Sequence, residues 1–279
     1  DFDTNSDGVL DASDGYWQDG EGWSPIGIYN NNTPFQAVFD GNGFAINNLF
    51  ISRPNSAYQG LLGLIENATI RNLGLSGPLM SVTGSSYVGG FAGRATDSTL
   101  HQIYSTGAIR AASSSISYTG GLVGSMSGTA LSACFATGEV EGVSYIGGLV
   151  GSASSGSSVE DCFATAVLSA SGANRVGALA GDFGSSGNSA SRNLATGGGL
   201  WSSIFGYSYQ AALTSNYWWT SSDTRSTTSA GTGASMIELQ CPTAADNSEC
   251  SSVNLYADWA EAQTEDGEPR WDFGTSTQL

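Results

Sequence analysis

The sequence predicts an all-β chain wound as a β-solenoid, a parallel β-helix-like coil with about three short strands in each turn of about 30 residues. Three observations carry this. A Gly-hydrophobic-hydrophobic-Gly tetrad recurs as Gly60-Leu61-Leu62-Gly63, Gly90-Phe91-Ala92-Gly93, Gly121-Leu122-Val123-Gly124 and Gly148-Leu149-Val150-Gly151, with a weakened copy at Ala178-Leu179-Ala180-Gly181. Its first four copies are 30, 31 and 27 residues apart. A second ladder keeps that spacing: Leu100 to Gly107, Leu131 to Gly138, Val159 to Ala166 and, more loosely, Ala190 to Gly197. Finally, residues 35–235 lack apolar stripes of period 3.6, and their apolar runs are short and bounded by Gly, Ser, Asn and Asp, as strands are.

Each element follows from what such a coil needs. One turn cannot bury its own inner face, so it must stack on its neighbour and build a continuous apolar column. Residues 35–235 are assigned to that column, and the paired glycines to bends where the backbone passes close to another turn. The ends of the column are open sheet edges and need covers. Residues 1–34, with Tyr16, Trp17 and Trp23, are expected to form the first cap. Residues 236–279 are expected to form the second, with short helical turns around Met236 to Leu239 and Tyr256 to Ala262.

Composition narrows the function classes. Net charge is −17, and all eight basic residues are Arg. That opposes nucleic acid and anionic membranes as partners, since both need clustered basic residues. It suits a soluble chain in a saline exterior. No apolar run approaches the roughly 20 residues of a membrane-spanning helix. The first residue is Asp1, so the chain is read as a processed form or an excised fragment. Cys241 and Cys250 bracket a loop-like stretch and are expected to form a disulfide, implying an oxidising compartment. Cys134 and Cys162 occupy equivalent repeat positions and are expected to be buried, reduced neighbours in the stack.

The tetrad followed by Cys-Phe-Ala-Thr-Gly, with the flanks Phe39-Asp40-Gly41-Asn42-Gly43, Asn48 to Pro54 and Trp271 to Ser276, resembles the GLUG-motif proteins of bacterial surfaces. The resemblance covers most of residues 23–279 and implies a secreted or cell-surface, adhesin-like chain. Some members of that group join such repeats to a metallopeptidase. Here His101 is the only histidine and H-E-x-x-H is absent, so the resemblance implies an architecture and a location rather than a reaction.

The strongest chemical motif precedes the repeats. Asp3-Thr4-Asn5-Ser6-Asp7-Gly8-Val9-Leu10-Asp11-Ala12-Ser13-Asp14 alternates oxygen-bearing side chains, then turns at Gly8, and resembles an EF-hand-type or dockerin-type calcium loop. Asp3, Asn5 and Asp7 would ligate calcium by side chains and Val9 by its carbonyl. Asp11 would act directly or through water, and Asp14 from the far end. Asp14 departs from the usual Glu, which implies a weaker site or one that tolerates Mg²⁺. Flanking helices are not apparent.

The wall of the coil is poor in catalytic groups. Between residues 41 and 222 the acidic residues are Glu66, Asp97, Glu139, Glu141, Glu160, Asp161 and Asp182. Arg110 and Arg175 have no matching acidic cluster, and His101 sits within a strand copy. These are read as solvated charges and a structural histidine. Two rows stand out: Tyr104, Phe135 and Phe163 with Leu194, and Thr106, Thr137, Thr165 and Thr196 two positions on. Period-two geometry places both rows on one face. Facing outward they would make a strip suited to sugars or ice, and facing inward they would fill the core. The inward arrangement is expected. The leading expectation is a non-enzymatic, calcium-stabilised adhesin-like or structural module, whose partners are an extracellular surface, a glycan or further copies of itself, joined head to tail in a filament. A glycan- or ice-binding module and a polysaccharide lyase or hydrolase are the alternatives.

Overall fold

The structure, a computed structural model, describes residues 1–27, 33–113, 115–172, 175–196, 203–219, 226–228 and 231–234. The expected second cap and the Cys241–Cys250 disulfide lie outside the described residues. Within them the chain is a β-solenoid of stacked, mainly parallel strands, in which strand residues pair with their equivalents in the next turn, while Ser226–Thr228 pairs antiparallel with Gly231–Ala234.

One turn shows the path. It begins at Val88–Gly89, continues through Ala92–Thr96 and Thr99–Ser105, and closes with Ala108–Ala111 before Tyr118–Gly120 opens the next turn. Stacking these segments gives four sheets of 4, 6, 14 and 5 strands among the described residues. The turn therefore has four sides where three were expected. The extra corner lies inside the tetrad region, where Tyr145–Gly147 and Val150–Ser154 run on different sheets.

The glycines make that corner possible. A Cβ on Gly120 would stand 2.6 Å from the Leu149 carbonyl oxygen of the next turn. One on Gly121 would stand 2.6 Å from the Ala136 Cβ across the core. Neither neighbour can retreat, because one is backbone and the other a side chain already reduced to a methyl group. The two hydrophobic residues of the tetrad then point inward. Phe91, Leu122, Leu149 and Leu179 form one fully buried column, and Ala92, Val123, Val150 and Ala180 another. Stacking equivalent apolar groups in this way stabilises the coil by roughly 1.5–3 kcal/mol for each large side chain buried.

Bends on the long side carry polar residues, and their hydrogen bonds run between turns. The Ser98 hydroxyl accepts the backbone N–H of Ala68 at 3.1 Å, and Thr129 Oγ1 accepts that of Ser98 at 3.3 Å. Ser157 Oγ then accepts Thr129 N–H at 3.3 Å, and Asn188 Oδ1 accepts Ser157 N–H at 3.0 Å. All four capping residues are buried. Each turn thus satisfies a backbone donor that the bend of the preceding turn has left out of the ladder.

Residues 1–27 lie against the first turns. Phe2 is buried and stacks near Tyr16 and Trp23, with ring centroids 4.9 and 6.1 Å away. Trp23 donates its backbone N–H to Phe50 O at 2.8 Å and its indole N–H to Leu61 O at 2.9 Å. Ile26 and Phe35 pair in parallel with Leu62 and Ile65, so the sheet edge there is covered.

Candidate functional site

The loop at residues 3–14 closes on itself. Asp3 accepts the backbone N–H groups of Asp7 at 3.2 Å and Gly8 at 3.0 Å. Asp14 accepts those of Thr4 at 2.7 Å and Asp11 at 3.0 Å. Both carboxylates are buried, and neither forms an ion pair with a basic residue among the described residues. Asn5 donates to Asp7 Oδ2 at 2.9 Å, and Asp7 Oδ1 accepts the Val9 N–H at 2.8 Å. The Asp11 carboxyl lies below its usual range because it accepts the Ser13 N–H and hydroxyl. The Asp14 carboxyl is lowered chiefly by the Asp11 N–H.

The donor chemistry of this loop fits a hard cation, since two buried carboxylates stand without a positive partner. The described residues contain no group of three His, Cys, Asp or Glu side chains already converged on a metal position. Asn5 and Asp7, bonded to each other, would have to turn toward an ion.

On the long sheet the structure reverses an expectation. Tyr104, Phe135 and Phe163 face outward and are half-buried, while Ser105, Ala136 and Ala164 between them are fully buried. The inward arrangement fails for lack of room, because Gly90, Gly121 and Gly148 stand directly opposite those small side chains. The outward rings stack in register, Tyr104 on Phe135 at 4.8 Å and Phe135 on Phe163 at 4.7 Å. Thr106, Thr137, Thr165 and Thr196 lie beyond them, also outside the core. Rings stacked this way cover one another's faces and present their edges. A shallow groove of about 350 Å³ runs beside them, with Asn72, Gln102 and Tyr104 among its lining residues.

A second aromatic column escaped sequence reading. Tyr58, Tyr87, Tyr118 and Tyr145 stack with centroids 4.6, 4.7 and 4.7 Å apart. Arg175 takes the next place, its guanidinium 5.5 Å from the Tyr145 ring and 4.1 Å from that of Tyr207. Burial pushes the Tyr118 phenol above its usual range, with the neighbouring Tyr87 and Tyr145 adding to the shift. The signal was present: a Tyr or Arg stands three residues before the tetrad in each of these turns, or two before it at Tyr58.

Neither Arg110 nor Arg175 is a solitary charge. Arg110 pairs with Glu141 of the next turn at 3.3 Å, and Arg175 pairs with Asp182. Arg192 holds Asp161 at 2.6 Å and also reaches Glu160, and these carboxylates hold its guanidinium more firmly charged than usual. His101 Nδ1 lies 2.9 Å from the Ser132 hydroxyl one turn on. The two described cysteines are buried free thiols. Cys162 is pushed up strongly by burial, which opposes thiolate chemistry.

Residues 142–169 match the GLUG motif family. Over 67 residues the chain is 43% identical to a protein of Evansella cellulosilytica described as a Gly-rich membrane protein, covering 24% of this chain and 8% of that one. It is 37% identical over 180 residues to the protein of Haloquadratum walsbyi named Halomucin, covering 63% of this chain and 2% of the relative. The chain thus spans a small fraction of either relative's length. A crystal structure of a Bacteroides ovatus protein named for immunoglobulin A1 protease superposes with a TM-score of 0.51 at 17% identity, covering 90% of this chain and 81% of the other. At that identity the likeness concerns the fold alone. No helix among the described residues is long and apolar enough to cross a membrane.

Proposed function

We propose that this chain is a calcium-stabilised structural module of an extracellular or cell-surface protein, a stiff spacer in an adhesin-like assembly. The observation that carries the reading is the use made of the wall. Equivalent residues of successive turns are spent on one another, as stacked rings, register-matched ion pairs and inter-turn hydrogen bonds, so that the outward chemistry repeats along the coil rather than converging at a point. The names of the relatives, a Gly-rich membrane protein and Halomucin, support a place at the cell surface. Calcium would be held by Asp3, Asn5, Asp7, the Val9 carbonyl, Asp11 and Asp14, fastening the first loop to the first turn. Head-to-tail association of copies is a further part of the proposal.

Light scattering and thermal unfolding, each with calcium and with chelator, test this. The expected outcome is an elongated particle whose unfolding temperature rises with calcium, with no polysaccharide cleavage when uronate polymers are followed for unsaturated or reducing products. Product formation that grows with protein concentration would overturn the non-enzymatic reading.

A second reading rests on the outward strip of Tyr104, Phe135, Phe163 and the Thr row. Its flatness and spacing suit a glycan or ice surface, although the covered ring faces limit sugar stacking to edges and the adjoining groove. A glycan array and an ice-recrystallisation assay on Thr137→Val and Thr165→Val variants distinguish it from spacing alone.

A further inference from the structure

The tyrosine column has a chemical capacity that stacking alone does not require. Phenylalanine would stack equally well, as Phe135 and Phe163 do on the long sheet at 4.7 Å. Yet Tyr58, Tyr87, Tyr118 and Tyr145 all keep the hydroxyl, in consecutive turns, with planes only 8°, 23° and 12° apart. All four are half-buried, so part of each residue is open to solvent. In-register strands hold the backbones of Tyr118 and Tyr145 directly opposite each other, and their rings lie face to face 4.7 Å apart. The other described tyrosine neighbours lack this arrangement. Tyr207 and Tyr209 are 6.5 Å apart at 38°, and Tyr104 stacks on a phenylalanine.

We propose that this column is an oxidative cross-linking site, in which adjacent tyrosines couple to dityrosine and staple one turn of the solenoid to the next. The co-reactant is a one-electron phenol oxidant of the haem-peroxidase class supplied with hydrogen peroxide. Each of two neighbouring phenols loses one electron and its hydroxyl proton to become a phenoxyl radical. A carbon–carbon bond forms between their ortho carbons. The two ring hydrogens then leave as protons while the hydroxyls are regained. Two tyrosines and one hydrogen peroxide thus give one dityrosine and two waters. The described cysteines are buried and unpaired, so this column supplies the turn-to-turn covalent link that the thiols do not. Tyr118 keeps its phenol proton to higher pH than an exposed tyrosine, so the neutral phenol is the species oxidised.

The sequence makes the product easy to map. With Arg as its only basic residue type, trypsin places Tyr58 in residues 1–71, Tyr87 alone in 72–94, and Tyr118 with Tyr145 in 111–175, Pro54 protecting the bond after Arg53. The full chain at low concentration is treated with peroxidase and peroxide. The expected result is a monomer lighter by two hydrogens, fluorescent as dityrosine, with 72–94 joined to 1–71 or to 111–175. Pre-positioning should raise the intramolecular yield about tenfold or more over the chain in denaturant. Tyr87→Phe, which keeps the stack, should abolish both joined peptides and leave only a link internal to 111–175. Persistence of dityrosine outside 111–175 in Tyr87→Phe, or an equal yield in the denatured chain, would overturn the assignment. So would a folded wild-type monomer that gains no dityrosine while free tyrosine in the same mixture does.

Discussion

Asn193 Oδ1 accepts the backbone N–H of Cys162 at 3.0 Å, reaching back one turn inside the coil. Its amide group donates to Val159 O at 2.9 Å and to Asn216 Oδ1 at 2.8 Å, and Asn216 donates in turn to Ala190 O at 2.9 Å. One turn earlier, Cys162 Sγ takes the place of that oxygen, 3.4 Å from the Cys134 N–H. Cysteine and then asparagine thus fill the same structural place in successive turns, the capping of a buried bend.

Replacing Asn193 by Leu should strand the buried Cys162 N–H and take one of the hydrogen bonds from the Val159 carbonyl. The orphaned donor costs about 1–3 kcal/mol. Chemical denaturation should show the lower midpoint, and Asn193→Asp should recover part of the loss at low pH, where its protonated carboxyl can again donate. Equal stability of Asn193→Leu and the parent would remove the capping role.

Gly121→Ala should destabilise by about 1–3 kcal/mol or more, because the new methyl group must displace the Ala136 methyl or the backbone of the next turn. Combining it with Ala136→Gly should return part of that stability, since the two sites share one space. Thermal melts of the single and double variants measure the coupling.

Asp161 is almost fully buried and held by Arg192. Arg192→Ala should cost about 3 kcal/mol at neutral pH, toward the lower end for a broken buried pair because the guanidinium is itself one-fifth exposed. Arg192→Met with Asp161→Leu should be less damaging than Arg192→Ala alone, as read from denaturation midpoints.

Thiol reactivity should separate the cysteines by place. Cys134 and Cys162 should resist aromatic disulfide reagents in the folded chain, because burial holds Cys162 protonated, and should react on unfolding. With Cys241 and Cys250 bridged as expected, the folded protein titrates no thiol and the unfolded one titrates two. Four thiols after unfolding would exclude that disulfide.

The first loop should loosen in acid. The Asp11 and Asp14 carboxyls are lowered in the folded chain by hydrogen bonds to Ser13 and Asp11 respectively. A carboxyl lowered on folding contributes stability above its unfolded value, here near 3.8, and loses it as pH falls toward the folded value. Proteolysis within residues 1–20 should therefore accelerate below about pH 4, while the solenoid resists. Added calcium should slow it at neutral pH, and Asp3→Ala with Asp7→Ala should erase the calcium effect. A calcium effect that survives in that variant would move the ion elsewhere.

Much of this molecule is legible in its sequence. The tetrads fixed the turn length, and the equivalence of Cys134 with Cys162 placed them as stacked neighbours, because strict periodicity leaves one way to align the turns. The tyrosine column is equally periodic, but its rings meet only between residues about 30 apart, once the turns are stacked. Arg110 and Arg175 looked solitary because their partners, Glu141 and Asp182, are adjacent only across a turn or around a corner.

Sequence by itself pointed to the stacked, parallel, all-β architecture: short apolar runs at a period near 30 residues, with no helical stripe, bury their inner faces by stacking turn on turn. It did not determine which way the long sheet faces. Alternation gives two parities of equal pattern, and Phe135 could have filled the core as readily as Ala136. Tertiary structure decided, because Gly121 and Ala136 meet across the coil at a distance that admits a methyl group and excludes a ring. The same close approach turned the aromatic rows outward, where they stack as columns along the wall.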